Sequence, residues 1–198
     1  MSTKPHKIMK TYISIIICLL PLVTWAQNEK KTTDNSKVKG YYNYTSIGTL
    51  VGSKGDENTY ISSLIMEHNY QFNKRIAIGI VTGIEWFDVS VLPLGPNLKL
   101  FAPQRNNASF FLGLSGGYAM ALEDMEFPDF EVTDTKGGYF MNSEIGYLFP
   151  SLRNYKLFVA IGYRYHEFEL TRQDWLLNQV DRKTKYNRFS LRVGVSIF

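Results

Sequence analysis

Eight ionisable side chains share one phase of an alternating pattern: Glu67, Glu85, Lys99, Glu144, Arg164, His166, Arg188 and Arg192. The same phase is rich in small residues, among them Gly79, Gly83, Gly113, Gly117, Gly146, Gly162 and Gly194, while the opposite phase is apolar. Acids and bases crowded on one narrow face suggest two chemistries. Opposite charges can satisfy one another as a structural plug, because an unpaired buried charge is expensive. The same set could instead carry protons or ions along a gated path, with His166 as the group that titrates near neutral pH.

Other chemistry has little support. Apart from His6 near the start, the histidines are His68, followed by Asn69-Tyr70, and His166, followed by Glu167-Phe168. Neither forms a His-x-Ser pair, and no metal cluster, phosphate loop or nucleophile elbow occurs. No catalytic residue, cofactor or metal is therefore expected. Two polar stretches could make contacts. Glu123, Asp124, Glu126, Asp129, Glu131 and Asp134 could hold divalent cations that bridge lipopolysaccharide phosphates, since hard cations take carboxylate oxygens. Their spacing fits no calcium-loop pattern, so a solvated loop is the plainer expectation. Trp175, Leu176 and Leu177 lie between charged flanks, where they could meet a partner or lipid, or tuck against a neighbouring rim.

The elements that must position these groups are strands. In the last stretch, Phe189, Leu191, Val193, Val195 and Ile197 alternate with Arg188, Ser190, Arg192, Gly194 and Ser196. Period-two alternation over ten residues makes a strand with one apolar and one polar face. Eight such segments are expected, at about Lys39–Ser53, Asn58–Phe72, Ile76–Val89, Leu94–Phe101 (short and weak), Ala108–Leu122, Lys136–Phe149, Tyr155–Leu170 and Thr184–Phe198, separated by turn signals. The links after the second, fourth and sixth are short. Those after the fifth and seventh, Glu123–Asp134 and Thr171–Lys183, are long. Short turns at one end and longer loops at the other are characteristic of transmembrane barrels. A soluble lipocalin-like barrel is the rival arrangement, with its apolar face inside. The charges decide between them, because they fall on the Gly/Ser/Ala-rich face, which suits a tight lumen better than a solvated exterior. The expected fold is an all-β, eight-stranded antiparallel transmembrane β-barrel with up-and-down meander topology. At eight strands the interior has room only for side chains, so the plug is favoured over the path.

The amino terminus carries Lys4, Lys7 and Lys10, then the apolar run Ile13–Trp25, then Ala26-Gln27. That is a secretory signal peptide with cleavage expected after Ala26, and the run is too short for a spanning helix, which takes about 20 residues. The expected organisation is residues 1–26 signal, 27–38 flexible periplasmic tail and 39–198 barrel. The single cysteine, Cys18, lies in the signal with Ile17 before it, so lipidation is not expected. Loss of residues 1–26 removes three of the 22 Lys+Arg and none of the 18 Asp+Glu, which leaves a net charge of +1 and no basis for a nucleic-acid partner. The aromatic content, 13 Tyr and 13 Phe, suits membrane-interface girdles.

With the signal ending Trp25-Ala26-Gln27, eight alternating segments and a last strand closing on Phe198, the chain resembles the small outer-membrane β-barrel ("porin") family. It is similar to the transmembrane domain of outer-membrane protein A and to the X-type proteins. The resemblance spans nearly everything from about Tyr41 on. It implies residence in the cell outer membrane of a didermal bacterium, contact with outer-membrane lipid and lipopolysaccharide, and insertion by the barrel-assembly machinery, for which Phe198 is similar to the recognition signal. Val193, Val195 and Ile197 are one residue out of step with that aromatic. No peptidoglycan-binding domain is expected after the barrel. The expected function is non-enzymatic: a structural or surface-interaction barrel with a charge-plugged lumen. The alternative is a narrow channel for small solutes. Some barrels of this kind modify lipid A with a His, a Ser and a carboxylate near the outer rim, a pattern that His68 and His166 do not fit.

Overall fold

The computed structural model describes residues 39–52, 60–87, 89–103, 108–122, 132–150, 155–173 and 179–197. They form β1 (Gly40–Gly52), β2 (Tyr60–Gln71), β3 (Ile76–Trp86), β4 (Ser90–Phe101), β5 (Ser109–Ala121), β6 (Val132–Lys136), β7 (Gly138–Leu148), β8 (Tyr155–Gln173) and β9 (Gln179–Ile197). All pairings are antiparallel. β1 pairs with β9 from Asn43↔Ile197 to Gly52↔Arg188, which closes the sheet into a barrel. β6 and β7 pair with successive parts of β8 on either side of Gly137, so the nine segments make an eight-stranded meander.

Alternation sends even-numbered residues of β1 and β9 inward, and odd-numbered residues of β2, β3, β4 and β5. The outward set forms an apolar belt, for example Ile47, Ile80, Leu114, Met141, Ile145, Ile161 and Leu191, all exposed. Aromatic residues rim it at both ends. Tyr60, Trp86, Tyr118, Tyr139, Tyr163 and Phe189 stand at one end, and Tyr41, Tyr70, Phe72, Phe110, Tyr147, Phe149 and Tyr155 at the other. Neighbouring rings touch edge to face, as Tyr118–Tyr139 at 5.8 Å and Tyr147–Phe149 at 5.1 Å. An apolar band between two aromatic girdles is a surface for lipid.

At the second girdle the connections are tight. The Asn73 side-chain oxygen accepts from the amides of Arg75 and Ile76, at 2.7 and 3.0 Å, and closes the β2–β3 turn. That end also holds the start of β1 and the end of β9, and is called the short-turn end below.

Three expectations need correction. The fourth strand is not short: β4 runs twelve residues from Ser90. Pro93 and Pro96 hide it from a propensity reading, and they interrupt its ladders, which skip between Thr82↔Leu94 and Glu85↔Val91 on one side and between Leu94↔Tyr118 and Asn97↔Ser115 on the other. Nor is Thr171–Lys183 a loop throughout. β8 and β9 continue their ladder to Gln173↔Gln179, so polar residues there extend the hairpin beyond the apolar belt, where both strand faces can be polar. Finally, part of the supposed acidic loop is β6, which follows the same extended β8 and includes Asp134 opposite Thr171.

Candidate functional site in the barrel lumen

All eight ionisable residues singled out from the sequence point inward and are buried. Large inward side chains fit because glycine faces them across the ladder. Arg192 pairs with Gly48 and Arg188 with Gly52. Glu144 lies between Gly113 on β5 and Gly162 on β8. A Cβ at Gly113 would come within 2.7 Å of both Cγ and Oε1 of Glu144, so only glycine leaves that carboxylate its place.

The charges gather in two layers. In the layer toward the short-turn end, Lys99 Nζ lies 2.8 Å from Glu67 and 3.0 Å from Glu144, with no solvent exposure. Arg192 bridges the same two carboxylates, 3.1 Å from Glu67 and in direct contact with Glu144. Asn97 donates to Glu67 and to the Asn69 side-chain oxygen, at 3.3 and 3.0 Å. Two acids and two bases thus cancel within one cross-section. Beneath them Tyr44, Phe101, Phe111 and Phe158 pack with Ala77, Leu148 and Ala160. Lys99 sits 4.3 Å from the Phe111 ring centre and 4.9 Å from that of Tyr44, close enough for cation–π attraction.

The layer toward the other end is built on Glu85. Its carboxylate meets Arg164 at 2.9 Å and His166 Nε2 at 2.7 Å. The His166 ring stacks with Phe140 and Phe168, and Phe87 lies 4.9 Å away. Arg188 approaches the rings of Phe87 and Tyr186. These aromatics pack with Ile65, Val81, Val91 and Ala119. Several buried polar atoms, including Ser63 Oγ, Ser190 Oγ and His166 Nδ1, have no hydrogen-bond partner among the described residues. Polar atoms in such a setting are commonly met by buried water.

The sequence reading treated the eight residues as one network, whereas the ion pairs fall into these two groups. Asn69 and Asn97 share the charged phase but were not counted in that set, and the inward aromatics were not expected there. Phase would have found them: Phe111 is in step with Ser109 and Gly113, Phe140 with Asn142, and Phe158 with Ala160. Phe198, Glu123, Asp124, Glu126, Asp129, Glu131, Trp175, Leu176 and Leu177 lie outside the described residues. His68 faces outward near the short-turn girdle. Among the described residues, no group of three or more His, Cys, Asp or Glu side chains could hold a metal.

A closed eight-stranded meander with an apolar exterior, two aromatic girdles and a charged lumen has the architecture of the small outer-membrane β-barrels. Solved structures bear this out. The chain is similar to the outer membrane protein OprG from Pseudomonas aeruginosa, with a TM-score of 0.59 at 11% identity over 80% of this chain and 95% of that one. Neisserial surface protein A aligns with a TM-score of 0.59 at 12% identity, over 79% and 96% of the two chains. The outer membrane protein AlkL aligns with a TM-score of 0.56 at 14% identity, over 86% and 96%. No protein-family model matches the chain, and neither does any curated protein. At these identities the likeness is one of fold.

Proposed function

We propose that the chain is a non-enzymatic barrel of the outer membrane whose lumen is closed by its own charges, and which acts through its exterior and outer loops. The observation that carries this reading is the position of Lys99, fully enclosed between two carboxylates that Arg192 also bridges. Each of these groups holds the others, so none is left to coordinate a passing ion. Aromatic clusters on both sides of the charged layers close the lumen further. On this reading residues 1–26 direct export, residues 27–38 form a periplasmic tail, and insertion uses the barrel-assembly machinery with Phe198 in its signal. The outer rim faces lipopolysaccharide, and the stretches 123–134 and 171–183 offer the contact surface.

The test is osmotic swelling of proteoliposomes in small sugars and amino acids. Swelling no faster than protein-free vesicles is expected. Solute-dependent swelling would replace the plugged barrel with the narrow channel. Mass spectrometry of lipid A from cells with and without the protein tests the enzymatic alternative, and identical spectra are expected.

A further inference from the structure

On the lipid-facing side of β1 and β2, close to the short-turn girdle, a row of polar side chains interrupts the apolar belt. Thr45 Oγ1 donates to Asn43 Oδ1 at 2.8 Å. Asn43 Nδ2 lies 3.2 Å from His68 Nδ1. The Tyr41 hydroxyl also meets His68 Nδ1. With the Asn43 NH2 on that side, Nδ1 accepts, and the ring proton of neutral His68 belongs on Nε2. No described side chain meets Nε2. His68 stands on the outward phase of β2 and is half-buried.

Depth identifies what that donor meets. His68 is three residues from Gln71, the last residue of β2, which places it about 8 Å along the barrel axis at ~3.3 Å rise per residue and ~40° tilt. Tyr41 and Tyr70, in the girdle, flank it. Girdle aromatics sit at the headgroup level. A donor just inside them that found no acceptor would be costly in the membrane.

We infer that Tyr41, Asn43 and His68 form a docking site for one glycerophospholipid of the leaflet at the short-turn end, with His68 Nε2 donating to its phosphodiester. The patch, Tyr41, Asn43, Thr45 and His68, is small, which fits a single headgroup better than a second copy of the barrel. Asn43 and Tyr41 hold the tautomer, and the Tyr41 ring, 6.1 Å from that of His68 and nearly parallel to it, covers one side. The site lies on the outside of the barrel and is independent of whether the lumen is plugged.

The test is nitrogen–phosphorus dipolar dephasing in solid-state NMR of histidine-labelled protein in phosphatidylglycerol bilayers. His68→Gln assigns the signal, and His166 in the lumen is the internal control. Dephasing of His68 Nε2 and not of His166 is expected, and it should vanish in bilayers of a phosphate-free galactolipid. Absence of dephasing at His68 in phosphatidylglycerol would overturn the proposal. So would a close contact of His68 with another copy of the chain in mixed-label samples. Native mass spectrometry gives a second readout: His68→Phe, which suits the girdle and should still fold, is expected to lose a phospholipid that the parent retains. Equal retention by both proteins would contradict the site.

Discussion

In the layer near the short-turn end, Lys99 and Arg192 each meet both Glu67 and Glu144, whereas in the other layer Glu85 is shared between Arg164 and His166. The first is a closed square of two carboxylates, a lysine and an arginine. The second depends on a side chain that can exist neutral, held among aromatic rings. In a square, removing any corner leaves two like charges to share one counter-charge, an excess of one charge in the lumen. In the Glu85 layer, loss of His166 still leaves the carboxylate an arginine. The layers therefore differ in how much damage one substitution does, and in whether pH can act on them.

The largest effect is expected from Lys99→Met. Breaking a buried ion pair from one side typically costs about 3–5 kcal/mol, and here Glu67 and Glu144 are left with Arg192 alone, one negative charge in excess. Denaturant unfolding in lipid vesicles measures it, and a loss below ~1 kcal/mol would mean that water already screens the square. Adding Glu67→Gln should recover part of that loss, since coupled neighbours show interaction energies of about 0.5–3 kcal/mol in double-mutant cycles. Strict additivity would break the description of a square.

Gly113→Ala comes next. It forces a methyl against the Glu144 carboxylate while leaving every charge in place, and overpacking of this kind costs about 1–3 kcal/mol. The same substitution at Gly40, where a Cβ would meet nothing within 4 Å, is the control and should change unfolding little.

The smallest effect is expected from His166→Gln. Glutamine keeps an N–H for Glu85, so the loss should be about 1 kcal/mol, the scale of one hydrogen bond. It also sharpens the contrast between layers. In a His68→Gln background, any change in stability across about pH 5–8, where histidine titrates, should persist in Lys99→Met and disappear in His166→Gln. If both variants keep it, the second layer is no more responsive to pH than the first.

Much of this arrangement was legible in the sequence, and the reason is geometric. A strand sends alternate residues to opposite faces, so phase alone placed Glu67, Lys99, Glu144 and Arg192 inside. Phase does not tell which inward groups share a cross-section. That depends on the stagger between strands, which brings Lys99 of β4 and Arg192 of β9 to the same two carboxylates and leaves Glu85 to Arg164 and His166. The glycines opposite Lys99, Glu144, Arg188 and Arg192 have a use only once register is known. β4 was partly hidden because Pro93 and Pro96 lower strand propensity, while closure of the barrel holds the strand regardless. The hairpin extension at Thr171–Gln173 and Gln179–Lys183 was read as loop because beyond the membrane neither face needs to be apolar, and alternation disappears with that need.

The central claim is that charges anchored by Lys99 close the lumen. Its most direct test is planar-bilayer conductance of the refolded protein from about pH 5 to pH 8, the range in which histidine changes charge. The account predicts a silent membrane at every pH. Steady unitary currents from the wild-type protein would contradict it, and currents that changed with His166 protonation would turn the charged layers from a plug into a gate.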